Sequence, residues 1–133
     1  MLVEGALEAL KRHTASLKEV GVRLTQSHVV WVPGAFELPL AAATAAKRLR
    51  PELIVAVGCL IKGQTPQYMA IGHAVINGLC DVSVRTGVPV GLGVIIADSV
   101  AQAKERAGGD RGNRGADAVQ AAVEMVRVLS VIR

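Results

Sequence analysis

A chain of 133 residues, 51% of them hydrophobic, fits one domain spanning 1–133 and has ample apolar surface for a core, which excludes a disordered segment. The formal charge of +4 suits small anions, nucleic acid or an acidic membrane surface and selects none of them, while one Phe, one Trp and one Tyr leave little for a base-stacking platform. No nucleic acid is therefore expected as partner, and an oily chain of this size points to a homo-oligomer.

From Leu2 to Val20, apolar residues recur at helical spacing with Lys and Glu between them, and Gly21 closes the expected amphipathic helix. Its Glu4, Glu8, Lys11 and Arg12 are the wrong pattern for a secretory h-region, so this segment is not expected to be a signal. His28 to Val32 is a short β-branched run cut off by Pro33-Gly34, which reads as a buried strand ending in a turn. Ala35 to Leu49 is helix-like and stopped by Pro51.

Leu53 to Ile61 is continuously apolar, as a parallel strand covered on both faces should be. It is also the longest such run, far below the roughly 18 residues that span a bilayer, so no membrane partner is expected. Thr65 then suits an N-cap and Pro66 a first helical position, for a helix reaching about Arg85. Cys59 and Cys80 read as buried thiols of a cytoplasmic protein, not a disulfide framework.

Pro89 to Ala97 is another apolar strand, after which Ser99 and Gln102 have the spacing of a capping box. The Gly-rich loop 108–113 leads to a last helix, Arg114 to Val131, with Val119, Ala122, Val126 and Leu129 on its buried side. Such alternation implies an α/β fold with a parallel sheet and helices on both faces. Ligands then sit beyond the carboxyl ends of the strands, here Pro33 to Glu37, Lys62 to Gln67 and Ala97 to Ser99.

At those ends two readings stand side by side. The turn Lys62-Gly63-Gln64-Thr65-Pro66 offers backbone N–H groups, a hydroxyl and a helix N-terminus to an anion such as phosphate, or is a plain capped turn. Arg106, Arg111 and Arg114 flank the Gly-rich loop and complete an anion pocket, or cap the preceding helix and stay solvated. Phe36 covers a flat heterocycle while Glu37 accepts hydrogen bonds from hydroxyls, or Phe36 is core and Glu37 a first-turn acid. His13, His28 and His73 lack metal-ligand spacing to one another or to the cysteines, so no metal is assigned. His73 lies about two turns into its helix and reads as a surface or interface residue.

Taken together, Val-Pro-Gly-Ala-Phe-Glu-Leu-Pro at 32–39, Gly-Cys-Leu-Ile-Lys-Gly-Gln-Thr-Pro at 58–66, Thr-Gly-Val-Pro-Val at 86–90, Gln102 to Gly108 and Asn113-Arg-Gly115 resemble the lumazine synthase family over nearly the whole chain. The resemblance implies a three-layer αβα, flavodoxin-like fold. It implies condensation of 5-amino-6-(ribitylamino)uracil with 3,4-dihydroxy-2-butanone 4-phosphate to 6,7-dimethyl-8-ribityllumazine, the penultimate step of riboflavin synthesis, without a cofactor. By the same match Ala35, Phe36 and Glu37 contact the ribityl-uracil, Cys59, Leu60 and Ile61 give backbone contacts, and Gln64, Thr65 and Arg106 hold the phosphate. Family sites lie between subunits of a pentamer, sometimes packed into an icosahedral shell.

Several positions depart from the family pattern. Gln67 stands where the family has its proton-transfer His, and an amide does not titrate near neutral pH. Arg114 replaces the usual Lys, and Leu92 the usual Phe of the substrate-binding stretch. The family's first strand, which carries an Arg-aromatic-Asn sequence, has no counterpart, so the expected sheet lacks it. An impaired lumazine synthase and a non-catalytic assembly or scaffold protein are thus the two leading expectations; a phosphate-ligand or nucleic-acid binder acting through the arginine loop is the third.

Overall fold

The structure is a computed structural model and describes residues 1–132. Its centre is a parallel pair, β1 (Ile54–Ile61) and β2 (Val90–Ala97), in register from Ile54 opposite Val90 to Ile61 opposite Ala97. Side chains alternate across β1, so Ile54 and Ala56 face a cluster with Ala42, Val75, Leu79 and Val82. Leu53 and Val55 face the opposite cluster of Ala9, Leu17, Val119, Val123 and Val126. Continuous apolarity in β1 is the consequence of covering both faces.

One layer is formed by α3 (Leu38–Leu49) and α4 (Gln67–Thr86), the other by α1 (Leu2–Arg12), α2 (Thr14–Glu19) and α6 (Arg114–Val131). This is the expected αβα arrangement around a parallel sheet. Leu17, Val75, Val119 and Val123 are fully buried, each contributing about 1.5–3 kcal/mol by removal from water. Elements lie close where side chains are absent: a Cβ on Gly91 of β2 would meet the Ala118 carbonyl of α6, and one on Gly115 of α6 the Leu2 carbonyl of α1. Asn113 reinforces the second contact, donating from Nδ2 to the Met1 carbonyl at 3.0 Å and accepting from the Ala116 N–H at 3.0 Å as N-cap of α6.

Several local expectations are corrected. The helix expected over Leu2 to Val20 breaks at His13 (φ −94°, ψ 5°), where Thr14 Oγ1 donates to the Lys11 carbonyl at 2.8 Å. His28 to Val32 is neither a strand nor buried, because no strand lies beside it to complete its hydrogen bonds; β1 pairs only with β2 among the described residues. Ala35–Glu37 is a separate 3₁₀ turn before α3. Pro66, not Thr65, is the N-cap of α4, whose far end is closed by Gly87 at φ 74°.

Ser99 does cap α5 (Val100–Glu105), accepting from the Gln102 N–H at 3.1 Å, but Gln102 Oε1 returns its bond to the Asp98 N–H at 2.6 Å instead of to Ser99. The Gly-rich loop is a small antiparallel hairpin, β3 (Ala107–Gly109) with β4 (Gly112–Asn113). On α6, Val119, Ala122 and Val126 are buried as expected, Val123 joins them and Leu129 is exposed. Both cysteines are exposed. Cys80 follows Leu79 by one residue and so falls off the packed stripe Gly72, Val75, Leu79, Val82; Cys59 lies near the end of β1, where cover runs out. No helix is long and apolar enough to cross a membrane among the described residues.

Candidate active site

At the carboxyl ends of β1 and β2 three chain segments meet. The in-register strands finish side by side, and the Lys62 N–H donates to the Ala97 carbonyl at 2.9 Å, holding the two exit loops together. From the first loop the chain turns through Gly63, Gln64 and Thr65 into α4. Thr65 Oγ1 accepts from the Gln67 N–H at 3.4 Å, a long bond at the positive end of a 20-residue helix. Gln64, Thr65 and Gln67 are all exposed. Tyr68 OH donates to Asp98 Oδ1 at 3.2 Å, tying the first turn of α4 to the exit of β2. Desolvation, then this hydrogen bond and the carboxylate's charge, push the phenol above the usual tyrosine range.

The 3₁₀ turn packs against β1 and α4. Gly58 of β1 makes room for it, since a Cβ there would lie 3.3 Å from Leu38 Cδ1 and 3.9 Å from Ala35 Cβ. Ala35 is thereby seated on the strand, while Phe36 is 64% exposed, which removes its reading as a core residue. Glu37 is half-buried, with its carboxylate beside Gly34. Cys59 and Ile61 are exposed at the strand end and Leu60 half-buried. Partial desolvation pushes the Cys59 thiol up, so it stays protonated and is a poor nucleophile.

The arginines enter from the hairpin. The Arg111 N–H donates to the Glu105 carbonyl at 2.9 Å and the Arg114 N–H to the Arg106 carbonyl at 2.8 Å, which gathers the three backbones around the turn. Arg106 Nη1 donates to the Gln102 carbonyl at 3.1 Å and lies 3.7 Å from Glu105 Oε2, so it caps its own helix. Arg114 is exposed in the first turn of α6, where the helix dipole disfavours a cation and a bound anion would relieve it.

Leu92 stands apart from the other candidates. It is the third residue of β2, opposite Ala56, roughly 16 Å of strand before Ala97 at about 3.3 Å per residue. Two hollows, of about 300 and 250 Å³, are lined by Val20, Pro51, Val88 and Leu129 and by Thr14, Lys18 and Arg23; neither touches Gln64, Thr65, Gln67 or Arg106. His73 is exposed on α4, and no group of three or more metal-ligating side chains is assembled among the described residues.

Tyr68 and Asp98 were not singled out from sequence. Each had a signal, Asp98 as the first polar residue after an apolar strand and Tyr68 as a lone phenol in a helix's first turn, but nothing in spacing pairs residues 30 apart. The family model of 6,7-dimethyl-8-ribityllumazine synthase matches residues 1–130. Nearly the whole chain, strand-end segments included, falls within that match, and the chain belongs to the 6,7-dimethyl-8-ribityllumazine synthase family.

Proposed function

We propose that the chain condenses 5-amino-6-(ribitylamino)uracil with 3,4-dihydroxy-2-butanone 4-phosphate to form the lumazine, at a rate lowered by Gln67. The observation that carries this reading is the family match through residue 130 together with the exposed turn Gln64-Thr65 at the start of α4, beside the loop that follows β2. Backbone N–H groups and the Thr65 hydroxyl there would receive the phosphate at the positive end of the helix. Phe36 would lie over the uracil ring and Glu37 would accept from ribityl hydroxyls, with backbone groups of Cys59, Leu60 and Ile61 fixing the heterocycle. Attack by the uracil amine on the ketone, loss of phosphate and ring closure then depend on proximity and charge placement. Gln67 can orient a reacting oxygen by hydrogen bonding but cannot carry a proton between steps.

Arg106 and Arg114 would close over the phosphate from the hairpin in a pentameric or larger assembly, for which Arg106 must release the Gln102 carbonyl. The test is the appearance of lumazine chromophore with both substrates, above the uncatalysed rate. Arg106→Ala should abolish the excess, and Gln67→His should raise it by about 10²- to 10⁴-fold, the usual worth of general acid–base help. Absence of any excess rate in both the parent and Gln67→His chains would end the reading.

A second reading, a non-catalytic assembly protein, is favoured by one specific observation. Arg106 is engaged with its own helix while Phe36, Leu40 and Val131 are exposed. A large particle without turnover would decide for it, and a monodisperse monomer against it.

A further inference from the structure

The segment that carries Arg106 is placed by hydrogen bonds more than by packing. α5 is six residues long and buries one side chain, Ala103, and a helix that short is not stable by itself. Three bonds meet at Gln102: Oε1 accepts from the Asp98 N–H at 2.6 Å, the backbone N–H donates to Ser99 Oγ at 3.1 Å, and the carbonyl accepts from Arg106 Nη1 at 3.1 Å. Residues 98–106 are thereby bonded into one piece, and where that piece sits decides where the guanidinium starts from.

Backbone bonds anchor its two ends, from the Lys62 N–H to the Ala97 carbonyl and from the Arg114 N–H to the Arg106 carbonyl. Toward α4 it is tied by a side chain, Tyr68 OH donating to Asp98 Oδ1 at 3.2 Å. Tyr68 is the second residue of α4 and stands three positions after Thr65, so this tie ends in the first turn of the helix, next to Gln64 and Thr65. The condensation proposed above uses neither the phenol nor the Asp98 carboxylate.

We propose that Tyr68 is a positioning residue for the phosphate: through Asp98 it sets residues 98–106, and with them Arg106, against the Gln64-Thr65 turn. The inference rests on the reading of that turn as the phosphate site and adds to it a residue that touches neither substrate. The phenol also restrains a charge. Released from it, the Asp98 carboxylate moves freely at the strand ends that receive the anion and repels it; bonded to it, the carboxylate is held in one place with part of its charge taken up by the donor.

The test is titration of the full chain with inorganic phosphate, read from the amide shifts of Gln64, Thr65 and Gln67, beside the lumazine assay. Tyr68→Phe keeps the ring and removes the donor, and should weaken phosphate by about fivefold, the usual worth of one hydrogen bond. In turnover the same factor should enter the KM for the butanone phosphate and leave that for the ribityl-uracil unchanged. Asp98→Asn, which keeps an acceptor for the phenol and removes the like charge, should bind phosphate at least as tightly as the parent. Unchanged phosphate affinity in Tyr68→Phe overturns the proposal, as does an equal loss in Asp98→Asn. A rise in both KM values together with a lowered melting temperature marks a merely structural role and overturns it too. Absence of phosphate shifts at the turn in the parent removes the site itself, whereas phosphate binding without lumazine formation ends the catalytic reading alone.

Discussion

β1 and the segment 28–32 are built from the same kinds of residue, yet β1 is held between two helical layers and the segment lies open to solvent. Ala56 is 4% exposed where Trp31 is 80%. The difference is one of neighbours. β1 has β2 to take half of its backbone hydrogen bonds and clusters on each side for its side chains, whereas among the described residues no strand stands beside residues 28–32. β-Propensity is fit to a pleated, half-covered surface, and without that surface it specifies nothing.

This contrast can be broken most severely from the β2 side. Gly91→Val drives a side chain into the Ala118 carbonyl and should prevent cooperative folding, read as loss of a sigmoidal melt in circular dichroism; a variant within about 1 kcal/mol of the parent would show that α6 does not lie so close to the sheet. Leu79→Ala, in the cluster under β1, should cost about 2–5 kcal/mol in denaturant unfolding. Asn113→Ala removes both the cap of α6 and the bond to Met1, an expected loss of about 0.5–2 kcal/mol by the same measurement. Trp31→Lys, in contrast, should move monomer stability by no more than about 0.5 kcal/mol. A loss as large as that of Leu79→Ala would mean the segment is packed after all.

The smallest effect is at the link between the two exit loops. Tyr68 is the only tyrosine, so its phenolate can be followed alone by ultraviolet absorbance. Its titration should lie above the ordinary range and fall back toward it in Asp98→Asn. Because the folded pKa is raised, its stabilisation is whole below the ordinary tyrosine pKa and is lost as pH climbs through the folded value. Tyr68→Phe should lack that alkaline dependence.

Elements whose signals are local and repeated are legible in the sequence: the continuous apolarity of β1, the bounds Arg114–Val131 of α6, and the Ser99 hydroxyl at the start of α5. Features set by what lies alongside were not. Residues 28–32 carry the pattern of a strand without the neighbour that makes one. Cys80 is exposed by a phase difference of one residue on α4, and the hairpin at 107–113 was hidden by glycines that fit a loop equally well. At the candidate site, the Gln64-Thr65 turn was legible as a strand-to-helix junction. The direction of Arg106 was not, because a guanidinium on a flexible stem takes the nearest carbonyls, here Gln102 of its own helix.

The position of Trp31 also dictates how this molecule can be watched. The sole indole sits away from the buried clusters, in contact with water before and after they melt. Its emission spectrum should hardly shift when the helices unfold. Indole fluorescence is here a blind gauge of denaturation.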